Sequence, residues 1–387
     1  MACCVQVRLR SLIGAAICLG VLAVASGCRR PAAVPPPPAP PKPVLRLYTW
    51  SDYVKPELIQ RFERENDCVV SIDTYDSNED MYDQLVSREK DPYDLLFPSS
   101  YMVKIMHEQG MLRKLDPARI PNLRNVDALY LSMAFDREMD HSVPYAVTIT
   151  CLAYLDGQVR DFKPTWAMLG RSDLRGRLSV LDDRRETLGA ALKLLGYSLN
   201  STNIAELAAA KEMVLHWKQN AARFENEDYN AELAAGELVL VHGYSGDLMT
   251  ARQENGKIRI VVPEEGAALS FDDMVIPANA RQVDLAYRFI DFILDPRVAA
   301  ELTEYICFLC PNEVSYQYLR PESRANPILF PPREVVERLE MIADLGSANA
   351  VYERLWDQIA AAPAVAATTG LARGPAPAGP ARPQGEM

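Results

Sequence analysis

Aromatic residues and carboxylates recur where predicted strands end. The sequence contains no glycine-rich phosphate loop, no Gly-x-Ser-x-Gly motif and no histidines at metal-ligand spacing. The candidates that remain are aromatic, acidic and hydroxyl side chains, namely Trp50, Ser51, Asp52, Tyr53, Ser99, Tyr101, Asp183, Glu186, Tyr244, Asp247 and Asp272. This composition favours binding over catalysis, and no metal or cofactor is expected.

These residue types together suit a linear di- or triammonium ion. Aromatic faces attract an ammonium group and cover the methylene chain between the charges. Carboxylates pair with the charged ends, and hydroxyls such as those of Ser51 and Ser99 accept the remaining N–H groups. An unpaired buried charge costs several kcal/mol, so the number and spacing of the acids should set the length of the ligand.

Each candidate also has a purely structural interpretation. Trp50 and Tyr53 would serve equally as packing aromatics inside a lobe. The pair Asp183-x-x-Glu186 matches a helix capping box, in which Asp183 is the N-cap and Glu186 reaches back to it. Asp247 and Asp272 would be ordinary as solvated loop acids. The binding interpretation depends on all of these residues falling at strand ends.

The elements around the first candidates alternate between strand and helix. Residues 44–48 and 69–72 are predicted strands, and a helix begins at Pro56 between them. A helix over 78–89 and a buried strand over 93–98 follow. This alternation predicts an α/β lobe with a mainly parallel sheet, in which ligands bind beyond the carboxyl ends of the strands.

A second α/β stretch runs from about residue 151 to 266. Its strand over 178–181 leads to Asp183, its strand over 238–241 leads to Tyr244, and a third strand covers 258–262. A long amphipathic helix over 283–294 then ends before a proline. The chain therefore predicts two lobes.

The two ends of the chain differ in composition from the lobes. Residues 1–27 have the basic start, apolar run and small-residue end of a signal peptide. Ala-Ser-Gly before Cys28 resembles the lipobox of bacterial lipoproteins, so Cys28 is expected to carry lipid. Residues 28–43 form a proline-rich tether, and residues 362–387 are expected to be a disordered tail.

Charge and cysteine content exclude some classes of partner. The 387 residues include 52 acids against 41 basic residues, and this net charge of −11 disfavours nucleic acid. Four of the eight cysteines lie in the first 28 residues. The others are Cys68, Cys151, Cys307 and Cys310, whose pairing stays open. Cys307 and Cys310 have no companion Cys/His cluster, which argues against zinc.

Several segments, in this order, resemble the spermidine/putrescine-binding proteins of bacterial ABC transporters. They are LRLYTWSDYVKPELIQRFERE, YDLLFPSSYMV, LDDRRETLGAALKLLGYS, EGAALSFDDMVIPANA and FIDFILDPRVA, within residues 45–358. The resemblance implies a periplasmic-binding-protein-like fold of type II, in which two lobes joined by hinge strands close on the ligand. It also implies a receptor, expected to be monomeric, that delivers a polyamine to an ABC permease. With the lipobox at Cys28, the expected location is the periplasm or cell surface, as a membrane-anchored lipoprotein.

The resemblance carries roles over to individual positions. It assigns Trp50–Tyr53 to the first binding loop, Ser99 and Tyr101 to the second, and Asp272 to the central ammonium group. Asp183, Glu186 and Asp247 match the acids of the second lobe. Asp52 and the Gly-Tyr-Ser-Gly-Asp segment ending at Asp247 are closer to the putrescine branch. The expected lobes cover 44–148 with 272–316, and 152–267 with 321–361.

Four positions depart from the family pattern. Tyr244 and Ser270 stand where the family usually has tryptophan or another bulky aromatic, and Phe308 stands where it has tyrosine. Ile342 falls where the spermidine branch has glutamine. With serine at position 270, the ligand slot lacks much of the wall that an aromatic side chain would form there. This suits a bulkier amine or weaker binding of the usual polyamines. A surface or sensory lipoprotein with an altered ligand is the alternative; an enzyme lacks positioned catalytic partners.

Overall fold

The computed structural model describes residues 41–87 and 92–363 of the chain. The strands are β1 (Val44–Thr49), β2 (Val69–Thr74), β3 (Leu95–Leu96), β4 (Ser142–Leu155), β5 (Leu178–Val180), β6 (Arg223–Phe224), β7 (Leu240–Tyr244), β8 (Ile258–Val261), β9 (Ala268–Val275) and β10 (Glu340–Met341). The helices are α1 (Pro56–Asn66), α2 (Asn78–Ser87), α3 (Ser100–Glu108), α4 (Ala128–Leu131), α5 (Arg184–Leu194), α6 (Ile204–Lys218), α7 (Tyr229–Ala235), α8 (Ser245–Glu254), α9 (Val283–Ile293), α10 (Pro296–Ile306), α11 (Pro321–Arg324), α12 (Arg333–Val336) and α13 (Asn349–Ala361).

The strands join in the order β2-β1-β3-β9-β4-β7-β5-β6, with β8 on β4 and β10 on β9. Within each half the pairing is parallel, because β1 runs parallel to β2 and β3, and β5 runs parallel to β6 and β7. The antiparallel pairs all involve β4 or β9. The parallel sheets predicted from the sequence are therefore confirmed for each half.

Strands β4 and β9 cross between the two halves. Residues Ser142 to Ile149 of β4 pair with β9, and the strand continues from Thr150 into the second half to pair with β7 and β8. A third crossing segment bonds to β4 where the Val147 N–H donates to the Leu309 carbonyl at 2.8 Å. Two α/β halves joined by crossing strands confirm the predicted type II fold.

Separate hydrophobic cores define the two lobes. In the first lobe (β1–β3, α1–α3 and α9–α10), Phe62 and Phe289 are buried against β1. In the second lobe (β5–β8, β10, α5–α8 and α13), Trp166 and Trp217 are buried. Each such side chain contributes about 1.5–3 kcal/mol through burial, so each lobe has its own stabilising core.

Local signals explain the helix boundaries near the site. Pro56 occupies the first turn of α1, where its missing N–H costs nothing, and Leu58 and Phe62 face the core as predicted. The predicted helix over 78–89 is α2, which is described over Asn78–Ser87, and residues 88 and 89 lie outside the described part of the chain. Strand β4 has no counterpart among the predictions, because it is buried along nearly all of its length and shows no alternation.

The expected signal peptide and Cys28 lie outside the described residues, as do most of the tether and the tail. Among the described residues, no helix is both long enough and apolar enough to cross a membrane. Cys68, Cys151, Cys307 and Cys310 are buried free thiols. The residue bounds expected for the lobes stay a prediction.

Candidate functional site

Asp272 lies in the middle of the hinge strand β9, not at a strand end as the sequence suggested. Its two carboxylate oxygens accept hydrogen bonds from the Tyr53 hydroxyl at 2.5 Å and the Ser99 hydroxyl at 2.7 Å. Burial raises the pKa of Asp272 to about 6, against the opposing effect of these two donors. The interpretation of Asp272 as a solvated loop acid is therefore wrong.

Ser99 is held in place by a residue that the sequence did not single out. The Asn78 side-chain amide donates to the Ser99 hydroxyl at 3.1 Å, and the Ser99 N–H donates to the Asn78 oxygen at 3.0 Å. Asn78 is the first residue of α2 and is buried. This double contact fixes the Ser99 hydroxyl toward Asp272.

Trp50 and Tyr53 follow the end of β1, as predicted. The Trp50 indole N–H donates to the Phe97 carbonyl at 3.0 Å, and its ring meets the Tyr75 ring edge-on at 4.5 Å. Tyr53 is buried, and its carbonyl accepts a bond from the Tyr145 hydroxyl. Both aromatics thus pack in the first lobe, and Tyr53 also reaches Asp272.

Ser51 and Asp52 occupy an exposed turn between Trp50 and Tyr53. Asp52 has a left-handed backbone with φ of 54°. We call Asp272 with its two donors, Tyr53 and Ser99, the Asp272 cluster. Within the described part of the chain, neither the Ser51 nor the Asp52 side chain makes a hydrogen bond to this cluster. The structure therefore leaves these two predicted residues outside the cluster.

Asp183 is the N-cap of helix α5, as the capping-box interpretation predicts for this residue. Its carboxylate accepts from the N–H groups of Arg185 at 2.8 Å and Glu186 at 3.0 Å. The hydroxyl of Tyr244, the last residue of β7, donates to the same carboxylate at 3.4 Å. Asp183 and Tyr244 therefore stand together in the second lobe.

Glu186 points to the hinge strands instead of reaching back to the cap. It accepts a hydrogen bond from the Thr150 hydroxyl on β4 at 3.1 Å, and one from the Ser270 hydroxyl on β9 at 3.5 Å. Burial, with a further contribution from Asp183, raises the pKa of Glu186 to about 8. The structure thus brings a second buried carboxyl, from α5, into contact with Ser270, which lies two residues before Asp272 on β9.

Asp247 lies in the first turn of α8 and accepts a 2.5 Å hydrogen bond from the Tyr229 hydroxyl. The same hydroxyl accepts from the Tyr244 N–H at 3.1 Å. Burial raises the pKa of Asp247 to about 6. Tyr229, which links two predicted residues, carried no signal in the sequence, because α7 looks like any short amphipathic helix.

Phe308 connects the lobes at the third crossing. Its ring meets the Tyr53 ring edge-on, with centroids 6.1 Å apart. It also covers Gly246 of α8, where an added Cβ would lie 2.5 Å from the ring carbons. Only glycine leaves room for this ring.

Tyr101 lies at the edge of the site and not in the Asp272 cluster. Its hydroxyl donates to the Glu79 carboxylate at 3.3 Å. Glu79 in turn accepts from the Arg184 guanidinium at 3.0 Å. The described residues include no group of three or more His, Cys, Asp or Glu side chains able to hold a metal ion.

The arrangement is built to hold positive charge. Asp272, Glu186, Asp247 and Asp183 are carboxylates contacted by hydroxyl or amide donors, and the aromatic rings of Tyr53, Tyr244 and Phe308 stand among them. The basic side chain of Arg184 is already in contact with an acid, Glu79, and lies at the edge of the site beside Tyr101.

Comparisons with known proteins agree with this architecture. The spermidine/putrescine-binding periplasmic protein of Escherichia coli K12 is 34% identical over 319 residues, covering 82% of this chain and 91% of that protein. The putrescine/cadaverine-binding protein of Pseudomonas aeruginosa PAO1 is 34% identical over 329 residues, covering 81% and 93%. A Treponema pallidum lipoprotein superposes with a TM-score of 0.75 at 32% identity, covering 82% and 99%.

The model of one protein family matches most of the folded region. It is described as bacterial extracellular solute-binding protein and matches residues 57–331, which include all but the first few of the site residues. Together with the crossing strands and the similarity to the proteins above, this match establishes the family. The chain belongs to the bacterial extracellular solute-binding proteins.

Proposed function

We propose that this protein captures a polyamine of the putrescine–spermidine class between its two lobes and delivers it to an ABC permease. The observation that carries the proposal is the Asp272 carboxylate, which lies on a strand shared by both lobes and accepts bonds from Tyr53 and Ser99. A carboxylate has about four acceptor positions. Two therefore remain for the N–H groups of a bound ammonium ion.

The spacing between Asp272 and the Glu186 carboxyl that contacts Ser270 supports a short diamine unit in the ligand. Ser270 and Asp272 lie on the same face of the strand, and residues two apart on a strand are separated by about 7 Å. Glu186 contacts Ser270, so its carboxyl lies near one end of this interval and Asp272 lies at the other. A chain of four methylene groups holds two ammonium groups at a similar separation.

The lack of an aromatic residue at position 270 supports a ligand slot that is open at the end where Glu186 lies. Ser270 is half-buried, and its hydroxyl is directed to Glu186. The family resemblance described above implies a bulky aromatic residue over the ligand at this position. We therefore expect the slot to accept a longer or bulkier amine at the Glu186 end, with Asp272 holding one ammonium group of the ligand.

The anchoring and delivery steps rest on the sequence and on the relatives. Residues 1–27 and Cys28 match a lipoprotein signal, and the similar Treponema pallidum protein is itself named a lipoprotein. A protein of Streptococcus pneumoniae with a TM-score of 0.74 is named the substrate-binding protein of a spermidine/putrescine ABC transporter. We propose a monomeric, lipid-anchored receptor in the periplasm or on the cell surface, with lobes at the bounds given above and without enzymatic activity.

Thermal unfolding tests this function, because a ligand that binds only the folded state raises the melting temperature. The Cys28→Ser variant, purified without lipid and stripped of bound amine, is heated with putrescine, cadaverine, spermidine or spermine. Butylamine and 1,4-butanediol are matched controls that lack one or both charges. A rise with polyamines alone supports the function. No rise with any amine favours the alternative, a surface or sensory lipoprotein whose departures at Ser270 and Phe308 have changed the ligand.

A further inference from the structure

Two ion pairs join the lobes beside the site, and neither contacts the Asp272 cluster. Arg184, the first residue of α5 in the second lobe, donates to Glu79 of α2 in the first lobe at 3.0 Å. Lys104 of α3 in the first lobe donates to Asp344 of the second lobe at 2.9 Å. Each lobe thus contributes one acid and one base.

The acceptor of the second pair is held rigidly. The Asp344 side chain is only 8% exposed, and it also accepts from the Gly346 N–H and the Asn349 amide. Although its partial burial acts to raise its pKa, the bonds from Lys104 and these two donors lower it below the usual value. Asp344 is therefore a fixed negative charge placed to meet Lys104.

The first pair is coupled to the binding site at both of its ends. Glu79 accepts the Tyr101 hydroxyl in addition to Arg184. Arg184 directly follows Asp183, the cap of α5 whose carboxylate accepts from Tyr244. The contact between Glu79 and Arg184 therefore adjoins two candidate site residues, Tyr101 and Asp183.

We propose that Glu79–Arg184 and Lys104–Asp344 form a two-point latch that stabilises lobe closure, with Glu79 as the positioning residue for Tyr101. The first lobe contributes the acid of one pair and the base of the other. This arrangement favours one relative position of the closed lobes, because a shifted closure would bring like charges together. A latch made of protein groups alone raises the closed population before ligand arrives. The apparent affinity for ligand rises in proportion to that population. The effect on affinity rests on the function proposed above, whereas the effect on closure does not.

The test measures lobe separation without ligand. Spin labels are placed on Val86→Cys in α2 and Ile204→Cys in α6, positions that are 63% and 64% exposed on opposite lobes. Glu79→Gln, Arg184→Gln and their double variant are compared, and Lys104→Gln probes the second pair. Asp80→Asn is the control, because Asp80 is an exposed acid in the same first turn of α2 with no ion pair among the described residues.

We expect each latch variant to shift the distance distribution toward longer separations, and to weaken ligand affinity about threefold. The Glu79→Gln/Arg184→Gln double variant should be no more open than the worse single variant, since both remove the same contact between the lobes. A second acid near Arg184, Glu353 at 3.7 Å, lies on α13 of its own lobe and does not join the lobes. Asp80→Asn should match the wild type. Distances that do not change in Glu79→Gln and Lys104→Gln, or additive effects in the double variant, would overturn the latch. If the distances shift as expected but the wild type binds no polyamine, the latch stands and the proposed function fails.

Discussion

The Tyr53 hydroxyl donates a 2.5 Å hydrogen bond to the carboxylate of Asp272, which lies 219 residues further along the chain. Tyr53 follows the first strand of the first lobe, and Asp272 lies on the strand that crosses into the second lobe. Ser99 binds the other carboxylate oxygen. The orientation of the Asp272 carboxylate is thus fixed by the first lobe. Glu186 of the second lobe contacts Ser270, which lies two residues before Asp272 on the same strand.

Asp272→Asn should abolish most ligand binding while leaving the protein folded. Removing one partner of a buried charge pair costs about 2–5 kcal/mol, so the dissociation constant should rise by about thirtyfold or more. Calorimetric titration gives the affinity, and urea unfolding gives the stability.

Asp273→Asn is the matched control for this variant. Asp273 is buried beside Asp272 and accepts from the Ser100 hydroxyl, on the other face of the strand. It should alter stability more than affinity. If Asp272→Asn lost stability and kept its affinity, Asp272 would be a structural acid.

Gly246→Ala should weaken ligand binding by obstructing the closed lobes. A Cβ at this position would lie 2.5 Å from the Phe308 ring, which belongs to the core of the first lobe, whereas Gly246 lies in the first turn of α8 of the second. Overpacking costs about 1–3 kcal/mol, which corresponds to roughly tenfold in affinity. Isothermal titration measures the change.

Gly256→Ala provides the control for the glycine variant. No atom lies within 4 Å of the position that its Cβ would take. Its affinity should equal that of the wild type. Equal affinities in both alanine variants would show that the contact between Phe308 and Gly246 plays no part in closure.

Ser270→Trp should tighten binding of a linear polyamine. A tryptophan over an ammonium group contributes about 0.5–2 kcal/mol through cation–π attraction, or up to about thirtyfold in affinity. Ser270→Ala serves as the comparison, since it removes only the 3.5 Å bond to Glu186 and should change affinity little. Weaker binding in Ser270→Trp would mean that the residue faces a part of the slot that the ligand itself fills.

Ligand affinity should rise with pH between about 6 and 8. Burial raises the pKa of Glu186 to about 8 and that of Asp272 to about 6, so below these values a carboxyl holds a proton that the cation must displace. The amines stay charged throughout this range, because alkylammonium groups have a pKa near 10. Affinity measured at steps of pH tests this, and Glu186→Gln should remove the part of the rise above pH 7. A flat profile in the wild type would contradict a buried, protonated Glu186.

The stability of the protein without ligand should change in the opposite direction. In the folded state Glu186 keeps its proton up to a pKa of about 8, while in the unfolded chain it loses it near the ordinary glutamate pKa of 4.5. Between these values the folded state binds more protons, so stability falls as the pH rises through this window. Urea unfolding at pH 5 and pH 8 measures the difference, which should shrink in Glu186→Gln. An undiminished difference in that variant would assign the effect to other groups.

The sequence predicted those features of the fold that depend on local signals. Pro56 at the start of α1, the Asp183 cap and the strand over 178–181 each follow from residues close together in the chain. The hinge strand β4 was missed because it is buried throughout, so its residues show neither helical nor alternating periodicity.

Within the site, the sequence identified the acids but not what they contact. Asn78 and Tyr229 position Ser99 and Asp247 through contacts across the fold, and nothing in their local sequence marks them. The Asp183-x-x-Glu186 spacing fits a capping box and a hinge contact equally well, and only the position of Thr150 separates the two. The exposed turn at Asp52 arises from its left-handed backbone, which the segment Trp-Ser-Asp-Tyr does not signal.

The most direct test of polyamine capture is isothermal titration of putrescine and spermidine into the amine-free Cys28→Ser protein at moderate salt. We predict saturable binding of one ligand per chain, which disappears in Asp272→Asn and persists in Asp273→Asn. Absence of heat with every polyamine, from protein shown to be folded by circular dichroism, would contradict polyamine capture and leave only the solute-binding fold.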